Sequence, residues 1–333
     1  MSNPGDTGQR HPKPQSVADE KCDLPRVVQW QRRACVLTQP KLPCLAAYHA
    51  LNLTAGCPNE CHYCYAQTYA HHPGWGTVAF YGNLLSRLRE EWSEMRAKPQ
   101  LVYFSTACEP FLAVEPILSD LYEIMALLLD SGVFVLISTK GVISKRFVNL
   151  FKQHPGKVFV QVGITTIDDE VRRLMEPRAA TVKQRLANLD LLLAEGIAAE
   201  ARMDPLIPGL TDDEVSLDAV LYELSRRGIH RAVASFMFLR WGIRPPADLA
   251  WGKWSLREIR RLYIHKVTDY CGRGTIWLPP TDYRRSKYAD LNVLAAGHRI
   301  RMKFCGCKNK DITNDCCHPL PLLRHRDTIG FSL

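Results

Sequence analysis

From residue 46 onward, short apolar runs rich in β-branched side chains alternate with longer segments whose apolar positions recur at helical spacing. The runs at 46–53, 101–106, 133–139, 158–165, 198–206 and 231–238 read as strands. The amphipathic stretches 83–95, 115–131, 144–153, 181–195 and 212–227 read as helices between them. Local chemistry supports the boundaries. Thr211-Asp212-Asp213-Glu214 places side-chain acceptors at a helix start, and Gly132, Gly196 and Gly228 stand where helices should stop. Six β/α units in succession predict an α/β fold built on a parallel sheet, either doubly wound or closed toward a barrel. Periodicity leaves those two open, and both gather reactive groups at the carboxyl ends of the strands. The pattern divides the chain into a flexible polar tail (1–20), an N-terminal extension (21–45), a core (46–240) and a C-terminal extension (241–333). Within the last, one further helix is expected near 255–270 before a cysteine-rich end.

Composition narrows the class. A chain of 333 residues with 46% hydrophobic content buries a substantial core. Its best apolar run is broken by Asp130, and no basic-then-apolar leader is visible, so a soluble cytoplasmic enzyme with no membrane role is expected. Twelve cysteines in such a chain read as metal ligands or catalytic thiols in a reducing compartment rather than as disulfides. The net charge of +9 allows an anionic partner such as a nucleic acid. Arg172-Arg173, Arg226-Arg227, Arg260-Arg261 and Arg284-Arg285 are scattered pairs, as solvated helix faces also provide.

The densest chemistry follows the first strand. Gly56-Cys57-Pro58-Asn59-Glu60-Cys61-His62-Tyr63-Cys64-Tyr65 places three thiols in one loop. A structural zinc site normally takes four protein ligands. No fourth cysteine completes this loop, although His62, His71 or His72 could be recruited. Three thiolates on a four-iron cluster instead leave one iron open to a small molecule. The spacing C-x3-C-x-aromatic-C after a first strand resembles the radical S-adenosylmethionine (SAM) superfamily. That resemblance implies a partial (β/α)6 TIM-type barrel. It also implies a 4Fe-4S cluster on Cys57, Cys61 and Cys64, whose open iron chelates SAM, and reductive cleavage to a 5′-deoxyadenosyl radical that abstracts hydrogen. A low-potential electron donor of the flavodoxin or ferredoxin type is implied as partner.

The likeness extends further. Cys61-His62-Tyr63-Cys64-Tyr65 with Gln67-Thr68 is similar to the spore photoproduct lyase branch, which repairs thymine photoproducts in DNA. Ile164-Thr165-Thr166, Glu176-Pro177-Arg178-Ala179 and the segment Asp204-Pro205-Leu206-Ile207-Pro208-Gly209-Leu210 resemble its wider photolyase-like group. The resemblance implies that the Tyr63 backbone meets adenine, and that Ser105, Thr106 or Glu109 contacts the methionine amino group. It places Lys140 on the SAM carboxylate, Thr165 and Thr166 near ribose or carboxylate oxygens, and Arg178 as a carboxylate clamp. Cys108 matches a cysteine that returns hydrogen to a product radical, and Tyr65 a tyrosine that relays it. Glu109-Pro110-Phe111 after Cys108 departs from the lyase.

Cys305-Gly306-Cys307 and Cys316-Cys317-His318 are a second concentration of thiols, which the lyase does not supply. They suit an auxiliary iron–sulfur cluster, zinc, or simply unliganded thiols, with Cys35 or Cys44 able to complete a metal set from a distance. Three functions follow as alternatives: a radical enzyme acting on nucleic acid, one modifying a peptide or small metabolite with help from the C-terminal site, and a non-catalytic iron–sulfur or zinc protein, with an ordinary barrel enzyme carrying a zinc loop as a fourth.

Overall fold

The structure, a computed structural model, describes residues 25–243, 250–251, 254–268, 274–313 and 315–318. The expected tail 1–20, Cys22 and Cys271 lie outside the described residues. Seven strands form the main sheet: β1 (His49–Leu51), β2 (Leu101–Phe104), β3 (Phe134–Thr139), β4 (Val158–Gly163), β5 (Ala198–Leu206), β6 (Arg231–Phe236) and β7 (Arg301–Phe304). They lie side by side in chain order, and every pairing is parallel.

Parallel neighbours need crossovers, and helices supply them. These are α1 (Leu84–Glu94), α2 (Glu115–Asp130), α3 (Lys145–Lys152), α4 (Asp169–Met175), α5 (Val182–Ala194), α6 (Glu214–Ser225), the short α7 (Leu256–Arg261) and α8 (Thr281–Gly297). α2 shows why such segments fold: Ile117, Leu121, Ile124, Met125, Leu128 and Leu129 make one buried stripe. Each fully buried side chain of that kind contributes roughly 1.5–3 kcal/mol. α5 starts with a capping box, in which Thr181 and Gln184 satisfy each other's backbone donors.

Strand alternation separates two cores. Val102, Phe104, Val135, Ile137, Val160 and Val162 join the helices in the large outer core. Leu101, Tyr103, Leu136 and Phe159 face the other way and pack on Leu45, with no helix residue among them. A doubly wound sheet would have helices on both faces. Here the inner face closes on itself around the 3-10 turn Pro43–Leu45, which makes the sheet a partial barrel.

Several segments differ from expectation. The stretch 46–48 belongs to a turn rather than to the first strand, since Tyr48 N bonds back to Leu45 O at 2.9 Å. The helix expected over 255–270 stops at Arg261. His265–Thr268, with β-branched Val267 and Thr268, pairs antiparallel to Thr275–Leu278 instead. Leu239–Arg240 joins the same small sheet. Arg26–Trp30 and Thr77–Tyr81 pair in parallel beside the barrel. β7, drawn from the segment expected as C-terminal extension, completes the main sheet by pairing with β6. The cysteines that follow it are thereby delivered to the open side of the barrel.

Candidate active site

The loop carrying the three cysteines leaves the sheet through Gly56, whose φ is +74°. A Cβ there would lie 2.6 Å from Thr77 O, so both conformation and space require glycine. Beyond it the loop folds tightly. Cys64 N donates to Cys61 O at 2.9 Å, and Gln67 Nε2 donates to the same carbonyl at 3.2 Å. His62 docks on the end of α4, its N donating to Met175 O at 2.9 Å and its Nδ1 lying 2.8 Å from Leu174 O. His62 therefore anchors the loop rather than lining the cavity beside it. Burial, then the charges of Cys61 and Cys64, push the Cys57 thiol up, and burial with Glu176 pushes Cys61 up to about 12. Without a metal these sulfurs hold their protons, so loading the site must release them.

Cys57, Cys61 and Cys64 line a cavity of about 220 Å³ at the carboxyl ends of β2, β3 and β5. Tyr63, Tyr65, Ser105, Thr106, Cys108, Glu109 and Lys140 line it too, so most of the expected site residues converge. Thr165, Thr166 and Arg178 are not among its lining residues. Thr165 Oγ1 is buried without a hydrogen-bond partner, Thr166 Oγ1 accepts from Asp168 N, and Arg178 pairs with Glu60 at 3.3 Å.

Charges around the loop are locked in pairs. Tyr63 OH donates to Glu176, which is fully buried and ion-paired with Arg185 at 2.5 Å and Lys140 at 3.6 Å. Burial acts to raise the Glu176 carboxyl, but the Arg185 guanidinium and the Lys140 ammonium outweigh it and hold the carboxyl below its usual range. Lys140 Nζ also sits 5.3 Å from the Tyr63 ring centre. Glu109 accepts from Thr139 Oγ1 (2.5 Å), Lys140 N (2.8 Å), Phe111 N (3.1 Å) and Asn59 Nδ2 (3.4 Å). It thus ties the ends of β2 and β3 to the cysteine loop. Ser105, at φ +68°, turns the chain sharply after β2. That turn presents Cys108, whose Sγ lies 3.6 Å from Ser105 Oγ and 3.7 Å from Asn52 Oδ1. Tyr65 OH donates to Thr106 O at 2.5 Å, two residues away from Cys108.

Below this mouth, the inner face carries a chain of polar contacts. Tyr103 OH meets Ser138 Oγ at 2.6 Å, Ser138 Oγ donates to Gln161 Oε1 at 3.0 Å, and Arg202 Nη1 donates to the same oxygen at 3.1 Å. Arg202 Nη2 continues to Asp204 at 2.8 Å. Asn52, Glu176, Arg185, Arg202, Asp204 and Lys308 were not singled out as functional from the sequence. One signal existed: Glu200, Arg202 and Asp204 put charges at every second position of a strand, all toward one face.

Cys305, Cys307 and Cys317 line the same cavity, joined by Cys44. Cys44 Sγ lies 3.0 Å from Cys307 Sγ and 4.0 Å from Cys317 Sγ. Cys316 is half-buried and is not a lining residue. Cys35 is exposed. Among the described residues no three Cys, His, Asp or Glu side chains already stand around an ion's position, in either cysteine set.

The donor set fits the cofactors that such a loop suggests: three thiols, closely spaced in sequence, on one cavity wall. Residues 51–219, just over half of the chain, match the Radical SAM superfamily. The chain belongs to that superfamily. Membership implies a 4Fe-4S cluster, SAM and a source of reducing electrons. An uncharacterized protein of Mycobacterium tuberculosis (strain ATCC 25618 / H37Rv) is 25% identical over 270 residues, which cover 78% of this chain and 77% of its own. An uncharacterized protein of Acidianus two-tailed virus is 24% identical over 252 residues, 68% of this chain and 82% of its own. Among solved structures, spore photoproduct lyase complexed with dinucleoside spore photoproduct superposes with a TM-score of 0.65 at 14% identity, covering 84% of this chain and 82% of that one. At that identity the likeness concerns the fold. Among the described residues no helix is long and apolar enough to cross a membrane.

Proposed function

We propose that this radical SAM enzyme takes hydrogen from a nucleic-acid base held in the barrel cavity and returns hydrogen to the product through Cys108. The carrying observation is that the Cys108 thiol lines the same cavity as Cys57, Cys61 and Cys64. In this reading those three sulfurs hold the 4Fe-4S cluster. What cluster and SAM supply when bound is a hydrogen-abstracting radical. The chain's own residues do the rest. Lys140, Ser105 and Thr106 are the groups on the cavity wall available to hold SAM, while Glu109, fully engaged with donors, keeps the strand ends in register. Thr165, Thr166 and Arg178 lie outside the cavity wall and act on SAM, in this reading, only through the segments they belong to.

Hydrogen return needs a weak X–H bond beside the substrate. The Cys108 S–H bond breaks, its hydrogen atom forms the new C–H bond of the product, the thiyl left behind takes hydrogen from the Tyr65 hydroxyl, and the tyrosyl radical so formed is returned to tyrosine by one electron from the low-potential donor and one proton from solvent. Burial pushes the Cys108 thiol up, so it is present as S–H rather than as thiolate. The nucleic-acid assignment is supported by the net charge of +9 and by the fold shared with a lyase whose bound ligand is a dinucleoside photoproduct. A flavodoxin- or ferredoxin-type donor in the cytoplasm completes the proposal.

The test uses anaerobically reconstituted protein. Deoxyadenosine formed from SAM under a strong reductant, together with DNA affinity that falls steeply with salt, is the expected result. Deoxyadenosine formation without salt-sensitive DNA binding moves the substrate to a peptide or small metabolite. A loaded protein that never cleaves SAM leaves a non-catalytic iron–sulfur protein.

A further inference from the structure

Four cysteines from two distant parts of the chain meet on the cavity wall. Cys44 sits in the 3-10 turn Pro43–Leu45, Cys305 and Cys307 follow β7 directly, and Cys317 comes from the segment beyond. Cys305, Cys307 and Cys317 are 3%, 9% and 9% exposed, and Cys44 is half-buried beside them. Buried cysteines acting as small apolar groups have no reason to converge sulfur to sulfur.

Their backbone is fixed by side chains that are themselves buried. Asn309 Nδ2 donates to Cys305 O at 2.9 Å, and Arg284 Nη1 in turn holds Asn309 Oδ1 at 2.8 Å. Gln161 Nε2 donates to Cys317 O at 2.6 Å, and His318 Nε2 lies 2.7 Å from Cys44 O. Asn309, Gln161 and His318 are all nine-tenths or more buried. Three of the four thiol-bearing residues are therefore held by their carbonyls, which leaves the sulfurs free to serve a common centre.

Sulfur spacing selects the class of centre. Metal–sulfur bonds of about 2.3 Å in a tetrahedron put the sulfurs roughly 3.8 Å apart. The separations of 3.0 and 4.0 Å bracket that value, and Cys305, buried in the same cluster as Cys307 and Cys317, lines the same wall. Ligands of a four-iron cluster each bind a different iron, so their sulfurs stand farther apart. We infer that Cys44, Cys305, Cys307 and Cys317 form a tetrathiolate site for a single thiophilic divalent ion of the zinc class. Small side-chain rotations open the 3.0 Å contact to coordination distance. The ion joins the segment entering β1 to the segment leaving β7, the two edges of the open sheet, and so closes the cavity wall between those edges.

The site is tested on the full chain carrying Cys57→Ala, Cys61→Ala and Cys64→Ala, which removes the other thiol set. One zinc per chain is expected to remain, to persist when Cys316→Ala is added, and to be lost when Cys44→Ala and Cys317→Ala are added instead. Because the last variant could misfold, the triple variant itself is also exchanged with Co²⁺. Tetrahedral ligand-field bands with thiolate-to-cobalt charge transfer are expected. Iron and acid-labile sulfide in the triple variant would overturn the single-ion assignment. A metal-free triple variant with four reactive thiols, or with disulfides detected by mass, would overturn the site altogether.

Discussion

Asp204 and Lys308, 104 residues apart, meet in a two-pronged ion pair, Lys308 Nζ donating to Oδ1 at 2.7 Å and to Oδ2 at 2.9 Å. Asp204 lies near the end of β5 and Lys308 just past Cys307, so this contact pins the C-terminal cysteines to the barrel. Burial tends to raise the Asp204 carboxyl, but Lys308 and then Arg202 hold it low. Replacing Lys308→Met removes two charge-assisted hydrogen bonds while Arg202 still compensates Asp204. A loss of about 1–3 kcal/mol in urea unfolding is expected. Proteolysis should cut first within residues 305–318. Wild-type stability together with wild-type cleavage would show that the pair holds nothing in place.

Glu176 is the acid on which three groups converge, Arg185, Lys140 and Tyr63. Glu176→Gln leaves the Arg185 guanidinium, 2% exposed, without a counter-charge. Breaking a buried pair from one side costs about 3–5 kcal/mol. Replacing both partners with apolar residues, Glu176→Leu with Arg185→Met, should recover most of that loss. Chemical denaturation of the two single variants and the double variant checks this. Additive losses in the double variant would mean that the pair itself is not the source.

Much of this architecture was legible because its signals are local. The runs 133–139 and 158–165 are dense in apolar and β-branched residues, and β3 and β4 fall within them. What stayed hidden lacked periodicity or depended on distance. α8 carries Asp282, Arg284, Arg285, Lys287 and Asp290, and its buried stripe includes Arg284 itself, so no amphipathic pattern stands out. α4 has seven residues and owes its start to the Asp168 side chain accepting from Glu170 N and Val171 N. β7 shows only Met302 and Phe304, alternating with Arg301 and Lys303. The cysteine loop was readable because its three thiols lie within eight residues, Cys57 to Cys64. Cys44 joins Cys307 across 263 residues, a proximity that spacing cannot reveal, whereas Cys316, adjacent to Cys317 in sequence, stays off the cavity wall.

Arg284, fully buried in α8, reaches Asp311 with Nη2 at 2.5 Å, and Thr281 Oγ1 donates to the same carboxylate at 2.6 Å. Partial burial acts to raise Asp311, but hydrogen bonds from Arg284 and Thr281 win and hold it down to about 2, against an ordinary value of 3.8. His265, at 3.6 Å, is the other titratable group facing it. A depressed carboxyl contributes stability that is full above the unfolded value and is lost as pH falls through the folded value. The contribution is on the order of 2 kcal/mol near neutrality. Asp311→Asn should therefore be less stable than wild type at pH 6, and the gap should shrink as pH falls from about 4 toward 2. A gap independent of pH would assign the effect to shape rather than charge.

Cys57 and Cys108 line one cavity but carry different tasks, and substitution should separate them. Cys57→Ala removes a metal ligand, so iron loading and deoxyadenosine formation should fall together by at least an order of magnitude, as lost coordination typically costs. Cys108→Ala removes no ligand. Its thiol touches Ser105 Oγ and Asn52 Oδ1 rather than the cysteine loop, so iron content and the rate of SAM cleavage should stay near wild type. What changes is the fate of the hydrogen. With substrate present in deuterated water, the wild-type thiol exchanges its proton and should deliver deuterium to the product. The Ala variant should deliver none at that position and accumulate side products of an unquenched radical. Cys108→Ser keeps the hydrogen bonds but has a much stronger O–H bond, so it should behave like Ala in product outcome and like wild type in stability. Deuterated product from the Ala variant would assign hydrogen return to another group, with Tyr65, bonded to Thr106 O, the next to substitute.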